Sequence, residues 1–494
     1  METILDNFNR ATKVCVVLTL WAAAAIALPA QTFSSLHSFG GTDGALPQGA
    51  LAQGADGNLY GTTAGGGANG DGTVFEVSPQ GVLTTVHSFN GTDGAQPFSA
   101  LALGTDGNLY GTTNAGGTST ACTGGCGTVF RFAGGTLTSL HSFSGTDGAI
   151  PQGGLVLGPD GNFWGTTVQG GTKNCIVNAN GCGTAYNITP TGTLTTLYGF
   201  TGRGEGGNSY SPLVLAKDGD FYGTAFNGGN FGKGSIFKLT LKGIVAIVHG
   251  FCSQGPPCSD GANPVGGMVQ DPNGALYGTT SAGGNGSCSV NGSVGCGTVF
   301  SITLGAALTT IHTFGGPDGS GPVATLSLAN TGNFYGTTPF GGANNSCNAG
   351  CGTVFGITLS GKMKTLYSFC SQSGCADGSQ PYGGLVQYTN GTLYGTTPAG
   401  GANGDGTVFT LSGLSPFVET LPFYGMVGAT VEILGSDLTG ATSVTFNGTA
   451  ASFNVVSNFL IDTTVPTGAT TGKVKVVTPN GPLSSNLPFK VLNQ

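Results

Sequence analysis

Leu109-Tyr110-Gly111-Thr112-Thr113 reads as a short β-strand, rich in aromatic and β-branched residues. Its last four residues, or a close variant, return seven times, starting at Tyr60, Tyr110, Trp164, Tyr222, Tyr277, Tyr335 and Tyr394. Successive starts lie 50, 54, 58, 55, 58 and 59 residues apart. A self-similar unit of that length marks a repeat architecture. It also changes how function is read: a residue present in every copy builds the scaffold, so specificity belongs to whatever differs between copies.

Working outward from Tyr110, one unit spans residues 96–143. Ser99 to Leu103 is a short apolar strand, and Thr105-Asp106-Gly107-Asn108 is a tight turn whose Gly and Asn tolerate positive φ. The Leu109–Thr113 strand comes next, then a long polar loop, a third strand at Gly127-Thr128-Val129-Phe130, a turn at Gly134-Gly135 and a fourth strand from Thr136 to Phe143. No segment has helical periodicity. Four antiparallel strands repeated seven times predict an all-β fold, a seven-bladed β-propeller over residues 31–413. Alternation along the fourth strand places Leu137 and Phe143 on one face and Leu140 on the other. The segment from Thr32 to Phe39 matches a fourth strand, whereas the last repeat stops at its third, from Gly406 to Leu411. The N-terminal strand is therefore expected to complete the seventh blade and cover its exposed edge.

Residues 1–30 read as a signal peptide: Arg10 and Lys13 precede an apolar run from Val14 to Leu28, and Ala25-Ile26-Ala27 fits a cleavage site, with cleavage after Ala30 the alternative. No stable membrane span is expected once it is removed. Cys15 lies inside this segment. The other twelve cysteines fall into six close pairs, Cys122/Cys126, Cys175/Cys182, Cys252/Cys258, Cys288/Cys296, Cys347/Cys351 and Cys370/Cys375. Even numbers in tight pairs predict disulfides formed in an oxidising compartment, each contributing about 2–2.5 kcal/mol by chain entropy. Some pairs have zinc-ligand spacing, but a closed site needs four ligands, and the pairs are read as lying in different repeats with no histidine nearby. The chain is expected to be secreted or held at the cell surface, monomeric, and without metal or cofactor. Only 7% of its 494 residues are charged and its net charge is −8, which leaves no basic stripe for nucleic acid.

After about Leu414 the repeat stops. Residues 414–494 carry short alternating strands, as in the stretches from Gly428 to Gly435 and from Ala441 to Gly448, that predict a small β-sandwich.

The units GTVFEVSPQGVLTTVHSFNGTDGAQP and GNLYGTT resemble the GloVer tandem repeat of bacterial choice-of-anchor proteins, over about residues 32–413. GATVEILGSDLTGATSVTFNG and VPTGATTGKVKVVTPNG in the tail resemble an IPT/TIG immunoglobulin-like domain. The resemblance implies a secreted or surface-displayed bacterial protein and supplies no ligand or activity. Such proteins carry varied C-terminal anchoring signals, and this tail shows no recognisable one.

Loops after second and fourth strands share one end of a blade, and all six cysteine pairs fall in them. That face is the expected binding surface. It also carries an acid before Gly in each unit: Asp43, Asp93, Asp147, Asp260, Asp318 and Asp377, with Glu205 in the variant fourth copy. These acids suit either a polar ligand face or the capping of their own turns. His37, His87, His141, His249 and His312, with Tyr198 and Tyr367 at the equivalent places, read as packing residues. No nucleophile elbow, phosphate loop or zinc-protease helix appears. The leading reading is a non-enzymatic binding or structural protein that presents this face to a carbohydrate or a surface protein. The alternative is a carbohydrate-active enzyme at the channel mouth, for which Glu205 and Asp220 are the irregular carboxylates nearest in sequence.

Overall fold

The computed structural model describes residues 31–171, 175–284, 286–290 and 293–492; the expected signal peptide lies outside them. Each repeat folds as a four-stranded antiparallel meander, as in Ala102–Leu103, Leu109–Thr113, Thr128–Ala133 and Thr136–Ser142. Seven such sheets form a propeller-like arrangement, numbered here by their YGTT copies. The seventh combines Val386–Gln387, Leu393–Thr397 and Thr407–Ser412 with Thr32–Ser38. Apart from one 3₁₀ turn at Ser373–Cys375, the regular elements among the described residues are strands.

Each letter of YGTT has a structural task. The aromatic residue packs on the next sheet: Tyr110 stacks on Phe163 at 4.0 Å between ring centres and Trp164 on Phe221 at 4.6 Å. In the first four sheets its polar tip also donates to the acid of the preceding turn, as Tyr60 does to Asp56 at 2.8 Å. The glycine makes room for the third strand, since a Cβ on Gly61 would fall 2.5 Å from Phe75. The first threonine reaches across to the neighbouring sheet. Thr62, Thr166, Thr224, Thr279, Thr337 and Thr396 donate to the carbonyls of Ser99, Ser211, Gly266, Ala324, Gly383 and Gly49. The second threonine bonds within its own sheet, as Thr63 does to Thr73 at 2.8 Å. These hydroxyls are buried, so each satisfied pair avoids the cost of a stranded polar group.

The last of those bonds joins the seventh sheet to the first. Phe39, fully buried at the end of the Thr32–Ser38 strand, does the same by packing edge-on against Phe75 at 5.2 Å. Equivalent phenylalanine contacts recur between successive sheets, from Phe89–Phe130 to Phe369–Phe409. Among the described residues, these contacts link each sheet to the next and the seventh to the first.

Strict alternation fails in the fourth strands. Val129 pairs with His141 and Phe130 with Ser139, so Leu140 is the extra residue of a β-bulge. The bulge inverts the facing of the residues after it. Leu140 and Phe143 share one cluster with Phe163, whereas Leu137 packs on the other side with Phe130 and Phe89. The expected grouping of Leu137 with Phe143 is thus corrected, and the same bulge recurs in all seven sheets.

The tail forms two more four-stranded sheets, Glu419–Leu421/Thr430–Leu434/Leu460–Thr464/Phe453–Val455 and Thr449–Ala451/Ser443–Phe446/Val474–Thr478/Gly481–Ser484. They enclose one core that includes Val431, Ile433, Phe446, Ile461 and Val476. The tail lies against the turns that join first and second strands of the repeat sheets. Tyr424 donates to the carbonyl of Gly158 at 2.7 Å and Lys490 to that of Lys217 at 2.8 Å. Ser436 bonds Thr389 at 2.9 Å, Asn330 donates to the Ser415 carbonyl, and the Phe459 ring covers Gly57. These contacts touch the inner turns of the first, third, fourth, sixth and seventh sheets.

Candidate functional site

The first strands of the seven sheets surround a cavity of about 570 Å³. Its rim is set by one equivalent position in every repeat, just ahead of the first strand: Gln48, Phe98, Gln152, Tyr210, Val265, Val323 and Tyr382. All seven are half-buried, between a neighbour on each side that is buried. The carbonyl of the residue after it is the one gripped by the YGTT threonine in six sheets, for example Gly383 after Tyr382. The repeated scaffold thus holds the backbone still beside the one position that changes its chemistry from sheet to sheet.

The sequence reading missed this ring. A signal was present: the residue after Pro47, Pro97, Pro151, Pro264, Pro322 and Pro381, and after Ser209 in the fourth copy, varies among amide, aromatic and aliphatic side chains while its surroundings repeat. Its significance needs the radial geometry that brings the seven together.

Phe226 adds a fourth aromatic ring and lies edge-on to Tyr210 at 5.5 Å; Phe340 stands edge-on to Tyr382 at 6.2 Å. Burial pushes both the Tyr210 and Tyr382 hydroxyls up, so they stay protonated at neutral pH. The described lining contains no Asp, Glu, His, Lys, Arg or Cys. The tail covers the inner-turn end, and the rim residues lie at the opposite end of the first strands. The cavity accordingly faces the loops that carry the cysteines.

All six cysteine pairs are disulfides: Cys122–Cys126, Cys175–Cys182, Cys252–Cys258, Cys288–Cys296, Cys347–Cys351 and Cys370–Cys375. They sit in connections after second strands or after fourth strands. At least one cysteine of every bridge is buried. Cys182 is fully buried beside Trp164 and Phe200, and Cys296 beside Tyr277 and Phe314. Cys126 sits in the same way with Tyr110 and Phe143, while Cys252 and Cys258 are both buried against Ala262 and Ala282. The physical reason is that Cys126, Cys182, Cys296 and Cys351 stand two residues before the third strand, where the chain is already entering the packed sheets. These cysteines behave as small apolar side chains and pin each loop to the core from beneath. One expectation about them is corrected: the pairs do not all lie in different repeats, for Cys347–Cys351 and Cys370–Cys375 both belong to the sixth, and Cys347 Sγ lies 3.6 Å from Cys370 Sγ.

The repeated acids stand outside the cavity, five of the seven paired with the histidine of their own unit. His37–Asp43, His87–Asp93 and His141–Asp147 meet at 2.8 Å, His312–Asp318 at 2.9 Å and His249–Asp260 at 3.1 Å. Tyr367 replaces histidine and donates to Asp377 at 2.7 Å. The second carboxylate oxygen accepts a backbone N–H at the start of the connection, as from Gly40 to Asp43 and from Ser144 to Asp147. Glu205 accepts the N–H and hydroxyl of Thr201, and its charge, after burial, helps raise the Tyr198 hydroxyl. Burial pushes the Asp147, Asp260 and Asp318 carboxyls up, but their histidine and backbone donors outweigh it and the net shift is down. In the sequence the histidine and the acid stand as separate motifs; their shared six-residue spacing in four copies is the signal that joins them.

Glu205 and Asp220 do not form a catalytic pair. Asp220 lies in an inner turn, held by Lys238 at 2.5 Å, at the other end of the first strand from Glu205.

No curated protein matches the chain in sequence. Among solved structures it is similar to a gluconolactonase of Xanthomonas campestris, at 12% identity over 80% of this chain and 93% of that one, with a TM-score of 0.40. The periplasmic gluconolactonase of Pseudomonas aeruginosa gives 15%, 72%, 97% and 0.40. A Bacteroides thetaiotaomicron protein of unknown function gives 15%, 78%, 76% and 0.38. Residues 24–177, 122–290 and 257–458 match the Gloeobacter/Verrucomicrobia repeat. The repeat units quoted from the sequence thus place this chain in the Gloeobacter/Verrucomicrobia repeat family.

Proposed function

We propose that the chain is an exported, non-enzymatic binding protein whose central cavity takes a neutral carbohydrate. On this reading residues 31–413 are a seven-bladed β-propeller closed by the N-terminal strand. Residues 414–494 are an IPT/TIG immunoglobulin-like sandwich that seals one mouth and acts as spacer, and residues 1–30 are the removed signal.

The observation that carries the reading is the ring of seven varied, uncharged positions on an otherwise repeated frame. Sugar rings present weakly positive C–H faces that suit the negative faces of Phe98, Tyr210, Phe226 and Tyr382, while the Gln48 and Gln152 amides suit hydroxyls. An anionic ligand would call for Arg or Lys. Hydrolysis of a glycoside calls for paired carboxylates, which the described lining does not offer. The cavity volume is within the range of small-ligand sites.

The test is calorimetric titration of the purified protein with neutral oligosaccharides, run beside turnover assays on the same compounds. Binding without turnover, lost in Tyr382→Ala, is expected. Turnover abolished by Glu205→Gln would overturn the non-enzymatic reading.

A further inference from the structure

Among the described residues, one group of cysteines brings four sulfurs together, and it comes from two disulfides that touch. Only the sixth repeat has a cysteine pair in both its loop after the second strand and its connection after the fourth. The topology then forces them together. The loop after the second strand lies against the end of the fourth in this repeat, where Asn344 donates to the Phe369 carbonyl at 2.8 Å. As a result Cys347, Cys351, Cys370 and Cys375 place their sulfurs within 4.8 Å of one another. Cys351 is fully buried and Cys370 nearly so, with Cys347 and Cys375 half-buried.

We propose that the reduced form of this cluster is a tetrathiolate zinc site. The spacings are Cys-x3-Cys and Cys-x4-Cys, both within the two-to-four-residue intervals of structural zinc sites. Zinc–sulfur bonds of about 2.3 Å in a tetrahedron set neighbouring sulfurs about 3.8 Å apart. Cys347 and Cys370 already stand at 3.6 Å and all four sulfurs lie within 4.8 Å, so the bonded pairs must open and the remaining sulfurs need shift by no more than about 1 Å. The chemistry balances: a dithiol delivers two electrons and two protons to each bridge and is itself oxidised to a disulfide, giving four thiols, and Zn²⁺ displaces four protons on binding. In the oxidised state each bridge closes within its own segment; zinc would tie the loop after the second strand to the connection after the fourth. The cluster borders the cavity rim, because the N–H of Gln380, two residues before Tyr382, donates to the Cys351 carbonyl at 2.8 Å.

The experiment uses the full chain, reduced and freed of reductant without oxygen, then titrated with Zn²⁺ and separately with Co²⁺. The expected result is one zinc per chain by native mass spectrometry, with four protons lost, and the visible bands of tetrahedral Co²⁺–thiolate. The unreduced protein should bind none. Cys347→Ser with Cys370→Ser should abolish binding, and Cys122→Ser with Cys126→Ser should leave it intact. A variant that keeps only these four cysteines, the other eight of the twelve as serine, should still take one equivalent. Failure of the reduced wild type and of that variant to bind one equivalent, folded or not, overturns the proposal, as does undiminished binding by the Cys347→Ser/Cys370→Ser protein.

Discussion

Thr396 donates its hydroxyl hydrogen to the carbonyl of Gly49 at 3.1 Å across 347 positions of sequence. The same bond between Thr337 and Gly383 spans only 46. One local rule, repeated along the chain, therefore also joins the last sheet to the first. Thr396→Val should leave the buried Gly49 carbonyl unpaired and cost about 1–3 kcal/mol. Phe39→Ala, which empties the matching apolar contact, should cost about 3–5 kcal/mol. Urea unfolding checks both, with the interior variant Phe143→Ala as reference; equal losses for Phe39→Ala and Phe143→Ala are expected if the closing junction is as well packed as the others.

The glycine of YGTT gives a sharper local test. Gly61→Ala would drive its Cβ to 2.5 Å from the Phe75 ring and 2.6 Å from Leu51. Overpacking of that kind costs about 1–3 kcal/mol. A lowered unfolding midpoint is expected, with partial recovery in Gly61→Ala/Phe75→Leu, where the smaller side chain gives the space back.

Acid should loosen the connections that leave the fourth strands. The Asp147, Asp260 and Asp318 carboxyls are shifted down in the folded chain. A group with a lowered folded value stabilises fully above the ordinary carboxylate value and loses that contribution as pH falls through the folded one. Unfolding midpoints measured from pH 7 downward should therefore decline through and below the ordinary Asp range, near about 4. The decline should be shallower in Asp147→Asn/Asp318→Asn than in the wild type.

The tail should shield the inner turns. Tyr424 bonds Gly158 and the Phe459 ring covers Gly57. In Tyr424→Phe/Phe459→Ala, hydrogen exchange should quicken at the amides of Gly57 and Gly161, each of which closes its turn onto a carbonyl of its own loop. Exchange at Gly44 and Gly148, at the other end of the sheets, should not change.

The strand order of each repeat was legible because turn chemistry and aromatic spacing recur; seven noisy copies make one clear reading. The disulfide pairs were legible from spacing alone, but the burial of Cys182, Cys258 and Cys296 was not, since a loop in the sequence gives no depth. The facing of the fourth strand was hidden too, because a bulge at residues such as Leu140 costs no special residue type and so leaves no mark in a single unit. The histidine–acid pairs were half-legible: both partners were seen, but their contact depends on how the connection folds back. The rim of the cavity was the least legible. Gln48, Phe98 and Tyr382 look like ordinary loop residues until the sheets are set around one axis, and the meeting of Cys347 with Cys370 likewise depends on a loop and a connection that the linear chain keeps 23 residues apart.

The central claim concerns what enters the cavity. Calorimetric titration with neutral oligosaccharides of several linkages, beside a polyuronate of similar length, tests this on the wild type and on Phe98→Ala and Tyr382→Ala. The prediction is saturable binding of at least one neutral oligosaccharide, weakened by about tenfold or more in each variant, a change of about 1.4 kcal/mol, with the unfolding midpoints unchanged. Preference for the polyuronate, or neutral-sugar affinity that survives both substitutions, would contradict it.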